Sequence, residues 1–173
     1  MKIDCIIGID PGASGGITIY RPNNKEVCQK IPKDINDFRD FINHYKDICS
    51  PLVFIEKVQM HRGDAQGGKM FGIEKLIKNL EALKTTLEVL DVPFILVHPG
   101  TWQSVLKLKI PKEEKPARKK RYKEIAQKYY PDLKATMWNC DATLIMHFGR
   151  TILRNNVKWV LENLPQRNHE KLF

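Results

Sequence analysis

The chain has 173 residues, 42% of them apolar and 28% charged, which is enough for a real hydrophobic core in one compact domain. Lys and Arg outnumber Asp and Glu by 29 to 20, and the resulting +9 favours a polyanionic partner through phosphate contacts and counterion release. Cys5, Cys28, Cys49 and Cys140 form no C-x-x-C pair and the five histidines show no zinc-ligand spacing, which argues against a zinc site or a disulfide framework.

Isolated thiols of this kind fit a reducing compartment, cytoplasmic or nucleoid-associated. Lys2–Ile9 reads as a buried strand, and Gly8 and Asp10 break its apolar run too early for a signal peptide. Turn residues at Pro11–Ser14 and Asn23–Asn24 separate it from two further strands, Gly15–Arg21 and Glu26–Ile31, which implies an antiparallel meander. Ile35, Phe38, Phe41, Ile42 and Tyr45 then fall at helical spacing. Leu52–Ile55 is a short buried strand ending at Glu56.

Lys57–Lys69 is polar and holds three glycines, so a loop is expected there. A long amphipathic helix follows, lined by Ile73, Leu76, Ile77, Leu80, Leu83, Leu87 and Leu90, with Phe71 expected in the core at its start. Pro93–Val97 is a fifth strand, and the stretch Val92–Val97 is far too short to span a bilayer. Helices are expected at Pro99–Leu106, Pro116–Tyr129 and Asp141–Leu153, with a further helix and tail over 154–173 in which Trp159 packs. The order points to a five-stranded mixed α/β sheet: a three-strand meander plus two parallel strands, flanked by helices. The domain is taken as 1–153, with a basic segment at 107–134.

Three acids stand where chemistry is easiest to build. Asp10 leaves the end of a buried strand into a glycine-rich turn, and Glu56 does the same after LVFI. Each has an ordinary explanation, a turn former for Asp10 and a solvated strand end for Glu56. If the fourth strand lies beside the first, both emerge at one end of the sheet. Asp141 sits in the first turn of an apolar helix, where the macrodipole alone would favour an acid and Asn139 would serve as a cap. Together, three carboxylates on rigid elements suit hard divalent cations such as Mg²⁺. Two such ions about 4 Å apart activate water and stabilise the leaving oxygen of a phosphodiester.

The motifs GIDPGASGG (8–16), FIEKV (54–58), VHPGTWQ (97–103) and CDATLIMHFG (140–149) come in an order and spacing that resembles RuvC-type Holliday junction resolvases, within the RNase H-like and retroviral-integrase superfamily. The short hairpin and glycine-rich loop look more like phage, viral or organellar branches. The resemblance implies a Mg²⁺-dependent endodeoxyribonuclease (Mn²⁺ substituting, two ions per site) of the kind used in DNA recombination and repair. It implies Asp10, Glu56 and Asp141 as catalytic metal ligands, and a homodimer that nicks opposite strands of a four-way junction. Such enzymes carry a fourth acid or histidine three or four residues before the last Asp. Here those positions are Met137 and Trp138, leaving water, Asn139 or a distant acid such as Asp132 to complete the shell.

Residues 107–134 hold eleven Lys or Arg against four acids, which is +7 of the total +9. So concentrated a surplus reads as a phosphate-tracking surface rather than a solubility device. Lys112, Lys115, Arg118, Lys119, Lys120 and Arg121 are the DNA-contact candidates there, joined by Lys57, Arg62 and Lys69 from the loop. The resemblance places a lysine at the scissile phosphate, and Lys115 and Lys119 are the choices. Trp102 reads as packing under the turn after the fifth strand.

The acids do not separate a junction from an RNA–DNA hybrid or a flap, and Trp138 keeps a non-catalytic junction-binding protein open. A sugar-kinase or actin-like phosphate binder is disfavoured, because the chain is short and has no second D-x-G signal.

Overall fold

The computed structural model describes residues 3–58 and 70–165. Strands β1 (Cys5–Ile9), β2 (Gly16–Tyr20) and β3 (Val27–Lys30) are followed by helix α1 (Ile35–Ile48) and strand β4 (Pro51–Glu56). Then come α2 (Met70–Val89), β5 (Phe94–Val97), α3 (Pro99–Val105), α4 (Lys115–Tyr129), α5 (Cys140–Asn155) and α6 (Val157–Asn163). The strand order is β3-β2-β1-β4-β5, with β1–β2 and β2–β3 antiparallel and β1–β4 and β4–β5 parallel. The expected meander and parallel pair are both present.

The central strands are buried on both faces, which is why they read as nearly unbroken apolar runs. Alternate residues serve opposite sides. Ile6, Leu52, Phe54, Ile95 and Val97 face one core with Trp102, Tyr122, Leu144, Ile145 and Phe148 from the later helices. Ile7, Ile9, Val53, Ile55 and Phe94 face a second core with Phe38, Ile42, Leu80, Leu83 and Leu87 from α1 and α2. Each fully buried aliphatic side chain contributes about 2 kcal/mol relative to an exposed one.

Local rules set the helix ends. Asp34 caps α1 by accepting from the Asn36 N–H at 2.7 Å, and Pro99 and Pro116 occupy first-turn positions of α3 and α4. Helix α6 folds back so that Val160 and Leu164 join the α5 side of the core, and Trp159 meets Phe148 edge-on at 5.5 Å.

Phe71 is a correction. It is 79% exposed at the start of α2 rather than in the core. The buried stripe of that helix begins only at Leu80, because the first turns run beyond the part packed on the sheet.

Helix α5 lies close over β1. A Cβ placed on Gly8 would overlap the Ala142 carbonyl and the Met146 nitrogen, so only glycine admits the helix backbone at this distance. A buried hydrogen bond between the Thr18 and Thr143 hydroxyls, 3.1 Å, ties β2 to the same helix. These contacts hold the N-terminus of α5 at the end of β1 where Asp10 emerges.

Candidate active site at the sheet's carboxyl edge

Ile9 and Ile55 are register partners in the parallel β1–β4 pair, so Asp10 and Glu56 leave neighbouring strands at the same end of the sheet. The crevice outside the carboxyl ends of parallel strands is where open α/β sheets place their ligands. An open cleft of about 310 Å³ lies there, lined among others by Asp10, Gly12, Glu56, Lys57 and Pro99.

Each acid has a donor in the chain. The Gly12 N–H donates to Asp10 Oδ1 at 3.0 Å, and the Asp10 N–H closes the turn on the Gly16 carbonyl at 3.0 Å. The Trp102 indole N–H donates to Glu56 Oε1 at 3.0 Å. Lys119 Nζ meets Asp141 Oδ2 at 2.5 Å, with only 22% and 13% of the two side chains exposed. Asn79 of α2 donates to the Pro11 carbonyl at 3.0 Å, which anchors the Asp10 turn from the other side.

The electrostatics show that the acids feel one another. Burial, then the charge of Asp141, pushes the Asp10 carboxyl above the usual carboxylate range. Burial, then Asp10, pushes Glu56 up to about 7, and Asp141 adds to it. Burial opposes the Lys119 charge, but Asp141 and then Asp10 outweigh it and raise the ammonium pKa. Among the described residues no three His, Cys, Asp or Glu side chains stand close enough to form a metal cluster.

Of the lysine candidates, Lys119 is at the centre. Lys115 is exposed at the start of α4, yet near enough to lower the Asp10 pKa. Lys112 and Lys120 are exposed, and Arg118 is half-buried beside them. Arg121 turns inward: its guanidinium meets Glu113 at 2.7 and 2.5 Å and the Leu108 carbonyl at 2.7 Å. Lys57 is exposed directly after Glu56, while Arg62 and Lys69 lie outside the described residues. Asn139 is fully buried and spent on Thr136, Lys134 and Cys28, and Asp132 is exposed in the loop before α5.

Sequence reasoning missed three positioning groups: Gly12, Trp102 and Asn79. Trp102 had a visible signal, since it lies inside VHPGTWQ, but nothing local says that its ring reaches back to Glu56. Asn79 is one polar residue on a long helix and gave no signal.

Fold and site together define an RNase H-like α/β domain with its acids gathered at the carboxyl edge of a mixed sheet. More particularly, the fold is that of RuvC. The structure is similar to Thermus thermophilus RuvC solved in complex with Holliday junction substrate, with a TM-score of 0.56 at 14% identity over 88% of this chain and 96% of that one. It is similar also to a second Thermus thermophilus RuvC structure, with a TM-score of 0.53 at 15% identity over 87% and 95% of the two chains. No protein-family model and no curated protein matches the sequence.

Proposed function

We propose that this protein is a metal-dependent DNA endonuclease that resolves four-way junctions by paired nicks, acting as a homodimer. The observation that carries the reading is the emergence of Asp10 and Glu56 from neighbouring strands at one edge of the sheet, with the Lys119–Asp141 pair near enough to influence both. The RuvC structure it resembles was solved with a Holliday junction, which supports the choice of branched DNA over hybrids or flaps.

The donor set fits a hard dication. All three acids offer carboxylate oxygen, and Asp10 and Glu56, raised first by burial, also feel the charge of the neighbouring acids. Asp10, Glu56 and Asp141 would hold Mg²⁺, with Mn²⁺ able to substitute. When bound, the ion supplies an acidified water and a clamp on phosphate oxygens. The chain's own groups do the rest. Gly12 and Trp102 fix the orientations of Asp10 and Glu56. Lys119 places an ammonium where negative charge grows on the phosphate as water attacks phosphorus and the leaving oxygen departs. Lys115, Lys120 and their neighbours hold the flanking backbone phosphates.

The test compares four-way junctions, flaps and RNA–DNA hybrids in Mg²⁺, with the Asp10→Asn variant beside wild type. Junction cleavage should dominate, and the variant should lose it by about 1000-fold or more while still binding junctions. Preferred cutting of hybrids would replace the substrate. Binding of junctions with no cutting in either Mg²⁺ or Mn²⁺ would leave a structural junction binder.

A further inference from the structure

We infer that the last turns of α5 carry a phosphate-binding site, formed by His147, Arg150, Arg154 and Asn155 at the end of the sheet opposite the acids.

Helix α5 sets the separation. Asp141 lies in its first turn and Arg150 nine residues on, which is about 14 Å further along the axis. The sheet gives the same placement. Arg150 Cζ sits 4.2 Å from the centre of the Tyr20 ring, and Tyr20 pairs with Ile6 near the start of β1. Asp10 and Glu56 emerge at the other end of that strand pair.

An open cleft of about 330 Å³ lies there, lined by His147, Arg150, Thr151, Arg154 and Asn155. The spacing 147, 150, 151, 154 puts four of these on one face of the helix. No acid lines the cleft, and among the described residues neither arginine is in an ion pair. Of the acids, Glu26 reaches this region, and its charge is felt by Tyr130. Two guanidiniums with no carboxylate of their own attract an anion. The dipole of α5 does not explain the pair. Arg154 in the last turn is enough to balance the carbonyl end, and Arg150 lies a turn earlier.

The hydrogen-bonding atoms narrow the chemistry of that anion. Arg150 is held through its face on Tyr20, so the N–H donors around its rim stay available. Burial and then the Arg150 charge push the His147 pKa down to about 4, so the ring is neutral at pH 7. The Tyr130 hydroxyl has two neighbours for its hydrogen, His147 Nδ1 at 2.8 Å and Met146 Sδ at 3.7 Å. The thioether is the weaker acceptor, so Nδ1 takes the bond and Nε2 carries the ring hydrogen. Stacking on Tyr129 at 4.1 Å holds the ring in place. Thr151 is different. Its hydroxyl donates to the His147 carbonyl at 2.8 Å and offers the cleft only an acceptor. Donors therefore come from four side chains. A carboxylate has two oxygens to receive them, whereas a phosphate group has at least one more and takes charge-assisted bonds from both arginines. Free phosphate, a nucleotide and a nucleic-acid strand share this chemistry.

The experiment titrates the full-length protein, in EDTA at low salt, with inorganic phosphate, a nucleoside monophosphate and a short DNA single strand. Amide signals of α5 are followed by NMR, and affinities by calorimetry. Phosphate should shift Thr151 and Asn155. Arg154→Gln should weaken this binding by about 10-fold or more, and Arg154→Lys should restore most of it. Lys158→Gln removes the same charge from an exposed position on α6, outside the cleft, and should leave the affinity within about 2-fold. Thermal melts establish that the variants fold.

A single strand that binds about 10-fold more tightly than phosphate, with the same dependence on Arg154, assigns the site to nucleic acid. Equal affinities assign it to free phosphate or a nucleotide. Absence of phosphate-dependent shifts at Thr151 and Asn155 overturns the inference. So does acetate that competes as well as phosphate, since the site would then be one for carboxylates. An equal loss in Lys158→Gln also overturns it, because the binding would then follow net charge alone. None of these outcomes bears on the nuclease reading, which Asp10→Asn tests separately.

Discussion

Trp102 reaches 46 residues back along the chain to donate its indole N–H to Glu56 Oε1 at 3.0 Å. Its ring is fully buried and meets Tyr122 of α4 at 5.5 Å, so the donor cannot swing away. A side chain from α3, braced by α4, therefore fixes the orientation of a β4 acid.

Trp102→Phe keeps most of the packing and removes only the donor. Partners of this kind typically change metal affinity by about 10–100-fold when removed, so the Mg²⁺ needed for half-maximal cleavage should rise by that factor. The indole also holds the Glu56 pKa down, so the variant's pH profile should move to higher pH. A merely structural tryptophan would lower the melting temperature and move neither. Metal titrations at several pH values, run well below the melting temperature, separate the cases.

Glu56 gives the metal-free protein a definite pH dependence. Burial and then Asp10 raise its carboxyl to about 7, against an ordinary value of 4.5. Between those values the folded protein keeps a proton that the unfolded chain has released, so stability falls as pH rises through the window. Glu56→Gln should therefore be more stable than wild type at pH 8 in EDTA, by about 3 kcal/mol, and little different at pH 4.5. The same shift means that ion binding displaces a proton below pH 7, so apparent affinity should climb with pH and then level off. Denaturant melts in EDTA, and calorimetry in two buffers of different ionisation enthalpy, measure the two effects.

The origin of these quantities explains what was legible in the sequence. Asp10 and Glu56 stood out because each ends a run of buried residues, and the parallel register of Ile9 with Ile55 then brings them together. Strands announce themselves by composition, and so does a carboxylate at a strand end. Lys119 was visible as one of several lysines, yet only the close packing of α4 on α5 selects it over Lys115. Phe71 was misread because period-3.6 spacing shows which face of a helix is apolar, not how far along it the sheet extends. The Trp102–Glu56 bond depends on two loops and a helix all arriving at one point, and no local pattern encodes that.

The basic helix holds two kinds of residue that composition cannot tell apart. Lys120 is exposed, whereas Arg121 is pinned to Glu113 and the Leu108 carbonyl. Lys120→Ala should weaken junction binding evenly across sequences and reduce the slope of log affinity against log salt by about 1, with the melting temperature unchanged. Arg121→Ala should instead lower the melting temperature, because it removes the bonds to Glu113 and to the Leu108 carbonyl that tie the 107–114 loop to α4. Binding isotherms at several salt concentrations, paired with thermal melts, check both. An Arg121→Ala protein with wild-type stability and a reduced salt slope would reassign that residue to the DNA surface.

Gly8→Ala tests whether the acids depend on the approach of α5. The new methyl would overlap backbone atoms of Ala142 and Met146, which cannot rotate aside as a side-chain tip can. Helix α5 must shift away from β1, and the shift acts next to Asp141 and the Thr18–Thr143 hydrogen bond. The expected loss is about 3 kcal/mol or more, in the range of overpacking. Cleavage should fall even at temperatures where the variant is fully folded, because Asp141 and Lys119 are displaced from Asp10 and Glu56. Gly72→Ala is the matching control. That glycine lies in α2 with nothing within 4 Å of an added methyl, so alanine there should stabilise the protein by about 0.5–1 kcal/mol and leave cleavage intact. If Gly8→Ala folded and cut as well as wild type, the close seating of α5 would not be what delivers Asp141 to the site.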